Sequence, residues 1–140
     1  MKQLQVILSG LLILSASFML QGHSKGGDHY RIFLNNKMVL EQFVLNRSAD
    51  PTLSLTGANE NDRMIVHYSH CGKAGSARTI RIKNNKGEIL KEWKFPDTRQ
   101  TGMQLTVKDI KGLARDGSIS LYYASKELNA GMQLTKLEWN

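Results

Sequence analysis

The sequence predicts an all-β protein: a single antiparallel β-sandwich of about eight strands with one short helix, behind a cleaved N-terminal signal peptide. Three observations carry this reading. Apolar residues alternate at period two through most of the chain beyond residue 28. Turn chemistry rich in Asn, Gly, Asp and Pro separates the alternating runs. Helix signals occur in a single stretch. A partly open barrel is the nearest competitor, since short strands of this kind can also close on themselves.

The N-terminal segment reads as an export signal. Met1-Lys2 is followed by an apolar run, Leu4 to Leu20, and by the small polar stretch Gln21 to Gly27. The run falls short of the roughly 20 residues that cross a bilayer core, and Ser9, Gly10, Ser15 and Ser17 dilute it. No Lys or Arg cluster follows to stop transfer. An uncleaved anchor is the alternative, and it is the one way this chain would meet a membrane. A lipoprotein would need a cysteine directly after the run, and none stands there. Gly22 with Ser24, or Ser15 with Ser17, meets the small-residue rule for cleavage. Cleavage after Ser24 leaves residues 1–24 as signal and residues 25–140 as one domain. A periplasmic or secreted location follows, which removes cytosolic metabolism from the possible roles.

The strands follow in order. Tyr30, Ile32 and Leu34 alternate with Arg31 and Phe33, Asn35-Asn36-Lys37 turns the chain, and Met38 to Leu45 returns as a hairpin partner. Asp50-Pro51 is a turn, Leu53 and Leu55 a short strand, and Gly57 to Asp62 a polar loop. Arg63 to His70 places Met64, Val66 and Tyr68 on one side and Ile65, His67 and Ser69 on the other. Arg78 to Lys83 alternates strictly, Asn84-Asn85-Lys86-Gly87 is turn chemistry, and Glu88 to Phe95 returns. Ile80 and Ile82 should face the core, with Trp93 and Phe95 as aromatic anchors. Met103, Leu105 and Val107 alternate again. Thr106 and Asp109 then form a capping-box pattern ahead of Ile110, Leu113 and Ala114. Ser118 to Ala124 and Met132 to Trp139 are the last strands.

With 41% hydrophobic and 22% charged residues, the chain has enough apolar area to order itself. Its single cysteine, Cys71, forms no internal disulfide, so packing must carry stability. A free cysteine is among the most buried residue types, which predicts a shielded, quiet Cys71 beneath the Gly72 turn. The net charge of +7 draws an exported protein toward anionic polymers. Nucleic acid is not indicated, because aromatic residues are not interleaved with the Lys and Arg in any known module.

His67-Tyr68-Ser69-His70-Cys71-Gly72 is the densest run of reactive side chains. His67, His70 and Cys71 could ligate copper or zinc, with His29 as a further donor. Strand geometry opposes this, since His67 and His70 point to opposite sides. A Cys/His nucleophile would need its base from another segment. Gly72-Lys73-Ala74-Gly75-Ser76 matches a phosphate-cradling loop in composition only, and a flexible connection is expected. Asn59 to Asp62 lacks the spacing of a calcium loop. Asn46-Arg47-Ser48 is a glycosylation acceptor in a eukaryotic host and otherwise a turn. No carboxylate pair is singled out for acid–base work. Arg81, Lys83, Lys86, Lys91 and Lys94 instead put positive charge on or near one sheet, with an outward aromatic from Tyr122 and Tyr123.

Three stretches carry a resemblance: Tyr68 to Gly72, Lys91 to Phe95, and Leu121 to Leu128. Over roughly residues 29 to 139 the chain resembles small secreted β-sandwich proteins of Gram-negative bacteria. That likeness implies an envelope location and transfers no catalytic residue. The reading is a non-catalytic binding module without a cofactor, whose partner is an anionic glycan, an envelope component or an envelope protein. The alternative is a metal-binding or thiol-dependent protein built on His67, His70 and Cys71.

Overall fold

The computed structural model describes residues 27–115 and 117–139, so the predicted signal peptide lies outside the described residues. The chain forms β1 (His29–Leu34), β2 (Lys37–Phe43), β3 (Thr52–Ser54), β4 (Arg63–Ser69), β5 (Arg78–Lys83) and β6 (Ile89–Phe95). It continues with β7 (Met103–Thr106), α1 (Val107–Lys111), β8 (Ile119–Ala124) and β9 (Met132–Glu138). The strands make a four-stranded sheet in the order β2-β1-β4-β7 and a five-stranded sheet in the order β3-β9-β8-β5-β6.

Alternation explains the core. Tyr30 and Ile32 of β1 and Met64, Val66 and Tyr68 of β4 are buried on one sheet. Ile80 and Ile82 of β5, Leu121 and Tyr123 of β8 and Leu134 of β9 are buried on the other, and all belong to one apolar cluster. Two sheets sharing a core make the arrangement sandwich-like. Tight turns hold the register. Asn35 and Asn36 take φ of 48° and 67° to join β1 to β2, the backbone that two-residue hairpin loops require.

Four details depart from the sequence reading. The β3–β9 pairing is parallel, whereas a wholly antiparallel sandwich was expected. Alternation fixes which side a residue faces but not the direction of its partner, and β3 joins β9 through a long connection. Val107 belongs to the helix, because the Thr106 side chain accepts from the Asp109 N–H and starts α1 there. Trp93 and Phe95 are only partly buried, since β6 is an edge strand. Cys71 is exposed, not shielded. It stands with Gly72 in a turn at φ of 50° and 89°, closed by paired hydrogen bonds between His70 and Lys73, which carries its side chain outward.

Candidate functional site

The site begins with a residue on the wrong side of a strand. Arg78 shares the inward parity of Ile80 and Ile82 on β5 and is 2% exposed. Its Nε donates to the Pro96 carbonyl at 2.7 Å. Its Nη2 is buried with no hydrogen-bond partner among the described residues. Nor does the guanidinium form an ion pair among them. The neighbouring carboxylate, Asp97, accepts from the Ala77 N–H at 2.7 Å. Burial pushes the Arg78 pKa down, against the pull of Tyr123 and Asp97. A guanidinium stays charged at neutral pH even so, so a positive charge stands in the interior with the Nη2 donors unused among the described residues.

Arg78 lines a cleft of about 940 Å³. Its floor is the outward side of the four-stranded sheet, with His29 and Arg31 from β1 and His67 and Ser69 from β4. One wall is the turn Gly72 to Ala74, the other the connection Asp97 to Gln100 between β6 and β7. Arg31, Lys73, Arg78 and Arg99 make the lining basic, and Asp97 is its only carboxylate among the described residues. Arg99 leans across toward the opposite wall, its Nη1 3.9 Å from where a Cβ on Gly72 would stand. Arg31 and His67 are register partners on adjacent strands. The His67 ring meets Phe33 edge-on at 5.6 Å. Burial, then Arg31 and Arg78, hold the His67 pKa below its usual value, which keeps the imidazole neutral at physiological pH.

A second cluster lies inside. Asp28 Oδ2 is 3.2 Å from His70 Nδ1, and His70 Nε2 lies 2.9 Å from the Tyr123 hydroxyl and 3.3 Å from Ser125 Oγ. Tyr68 donates to Asp28 at 2.9 Å. Burial first, and Asp28 second, push the Tyr68 pKa up. The connectivity is that of an Asp-His-Ser relay, but it gives a nucleophile nowhere to act. Ser125 is 5% exposed, and its Oγ also accepts from the Leu128 N–H at 3.2 Å. Gly75 crosses so closely that a Cβ there would stand 2.9 Å from both His70 Nε2 and Ser125 Cβ. The cluster is a hydrogen-bonded network that runs from the partly exposed Asp28 to the buried Tyr123 and Ser125.

The residues singled out from sequence are distributed over several places. His67 stands in the cleft, His70 in the inner cluster and Cys71 in the exposed turn. Among the described residues no group of three or more His, Cys, Asp or Glu side chains is placed to hold a metal ion. Arg81, Lys83 and Lys94 share the outward side of the five-stranded sheet. Arg81 is paired there with Glu92 at 2.5 Å, and the Lys83 ammonium sits 4.2 Å from the Tyr122 ring centroid. Lys91 is opposite Ile82, which puts it on the other side, near Asp109 at 3.6 Å. Lys86 lies in the β5–β6 turn. Arg31, Lys73, Arg78 and Arg99 were missed. A signal for one was present: Arg78 continues the apolar parity of Ile80 and Ile82. Comparison with family models, with curated proteins and with solved structures found no match to this chain.

Proposed function

We propose that this is an exported, non-catalytic β-sandwich binding module that engages an anionic glycan or another anionic envelope component through the cleft of Arg31, Lys73, Arg78 and Arg99. The observation that carries the reading is the buried guanidinium of Arg78, a residue that lines the basic cleft and whose Nη2 has no hydrogen-bond partner among the described residues. A buried charge without a counter-ion is costly, and an anionic ligand would supply one. The cleft is of the size that takes small molecules or the ends of polymers. The signal-like layout of residues 1–24 and the resemblance to secreted bacterial β-proteins support export. The outward side of the five-stranded sheet is the weaker candidate surface, because Glu92 neutralises Arg81.

Retention on two anionic resins tests the reading, one heparin-type and one polygalacturonate. The expected result is retention on at least one at low salt, lost as salt screens the charges. It should weaken in the double variant Arg31→Gln/Arg99→Gln and persist in Arg81→Gln/Lys94→Gln. Flow-through on both resins, or retention that depends only on the second pair, would overturn it.

A further inference from the structure

The chemistry of the cleft narrows its ligand. We infer that the group it takes is a phosphate ester carried on a larger body, with the Arg78 guanidinium as the anchoring donor; this rests on the anion-binding reading above. Three features point there. First, the positive groups come from separate segments of the chain: Arg31 from β1, Lys73 from the turn after β4, Arg78 from β5 and Arg99 from the connection after β6. A carboxylate accepts in one plane and is satisfied by a single arginine fork. A tetrahedral oxyanion presents oxygens in several directions and uses such a surround.

Second, the charge balance favours more than one negative charge. Four permanent cations line the cleft against Asp97 alone among the described residues, and the Asp97 carboxylate already accepts from the Ala77 N–H. A phosphomonoester carries nearly two charges at neutral pH. Third, about 940 Å³ is far more than a bare phosphate fills. The floor adds His67 and Ser69, polar side chains that can meet a sugar or similar body. Arg78 is the anchor because its Nη2 is buried and lacks a partner among the described residues. The other three cations are exposed at the rim or floor and can satisfy themselves with water.

Calorimetric titration of the purified protein tests this, with inorganic phosphate, glucose 6-phosphate, sulfate and acetate at matched ionic strength. The expected result is saturable binding of phosphate and tighter binding of glucose 6-phosphate, with acetate indistinguishable from chloride. Sulfate separates shape from charge: weaker binding than phosphate supports the phosphate ester, and equal or tighter binding overturns it in favour of a sulfate ester. Arg78→Met should weaken phosphate about tenfold or more, and Arg31→Gln, on an exposed side chain that folding does not need, should weaken it several-fold. Arg81→Gln should change nothing. Wild-type affinity in Arg78→Met, or acetate binding as well as phosphate, would overturn the inference. Retention on the resins without saturable phosphate binding would sink the phosphate ester and leave the binding-module reading standing. Failure of both would remove the two together.

Discussion

Tyr68 and Tyr123 stack across the two sheets, their ring centroids 4.0 Å apart and their planes within 10° of parallel. Tyr30, the register partner of Tyr68 on β1, lies parallel to it at 6.0 Å and 2°. Three fully or nearly buried tyrosines therefore run through the centre of the core. Each hydroxyl has a partner: Tyr30 donates to the Leu134 carbonyl at 2.7 Å, Tyr68 to Asp28, and Tyr123 meets His70. Aromatic area and satisfied polar ends together make this the joint between the sheets.

Truncations of Tyr123 should separate those two contributions. Tyr123→Phe keeps the ring and removes the hydroxyl. His70 Nε2 still has Ser125 Oγ at 3.3 Å, so the expected cost is about 1 kcal/mol. Tyr123→Ala also removes the stack and leaves a cavity between the sheets, at about 3–5 kcal/mol. Urea denaturation measures both. Equal losses in the two variants would show that the ring contributes nothing beyond its hydroxyl.

Gly75 should be intolerant of any side chain. A Cβ there meets the Tyr123 hydroxyl, His70 Nε2 and Ser125 Cβ; Tyr123 and Ser125 are buried, and His70 is held by Asp28 and Tyr123. Gly75→Ala should cost about 1–3 kcal/mol by overpacking. Gly87→Ala is the comparison, since nothing lies within 4 Å of its Cβ position and only its φ of 80° opposes the change. A Gly75→Ala protein as stable as wild type in thermal melts would refute the close approach.

These results mark what the residues disclosed and where they stopped. Period-two alternation in Arg63 to Ser69 and Arg78 to Lys83 located strands and their inward sides, because burial on one side of a sheet leaves that imprint. It also separated His67 from His70. The parallel partner of β3 left no imprint, because pairing direction is a property of the distant chain. The cleft was hidden for the same reason. Arg31, the neighbouring pair Lys73 and Arg78, and Arg99 come from three distant segments and meet only once β1, β4 and the connection after β6 are in place. Arg78 carries a charge at the apolar parity of Ile80 and Ile82, and that position could have been read as a buried charge. Cys71 misled because composition averages favour burial, whereas the positive φ of a two-residue turn governs this position.

Cys71 should label quickly in the native protein. It is exposed, and its nearest polar contact is the Asp28 carboxylate at 4.0 Å. Maleimide or disulfide reagents should react at a rate close to that in denaturant. Cys71→Gly should be neutral or stabilising by up to about 1 kcal/mol, because glycine adopts φ near 50° without the steric cost a Cβ brings. Protection from labelling, or a destabilised Cys71→Gly, would place the thiol beneath the turn after all.

Glu127 ties the loop around the inner cluster to pH. The Ser76 N–H donates to both of its carboxylate oxygens, at 2.9 and 3.1 Å. That clamp is the first cause of a pKa lowered from 4.5 to about 2. A depressed carboxylate stabilises the fold fully above its unfolded pKa and loses that contribution as pH falls through the folded one. The stability difference between wild type and Glu127→Gln should therefore be constant above about pH 4.5 and shrink toward zero between there and about pH 2. A difference that does not change across this window would mean that the clamp does not form in solution.

Arg78 sets stability against binding. Removing its guanidinium sacrifices one charge-assisted hydrogen bond to the Pro96 carbonyl, at about 1.5–3 kcal/mol. It also relieves the desolvation of a buried charge that has no counter-ion among the described residues, a penalty of several kcal/mol. The second effect is the larger. Arg78→Met, which keeps the length and most of the apolar stem, should melt above wild type in chloride buffer by an amount equivalent to about 1 kcal/mol or more. Adding phosphate should reverse the order. A ligand that binds only the folded state raises its stability with the logarithm of its concentration, and only wild type retains the anchor. Melting curves of both proteins in chloride and in rising phosphate read this directly. A less stable Arg78→Met in chloride would show that Arg78 is a structural residue whose donor is satisfied in solution.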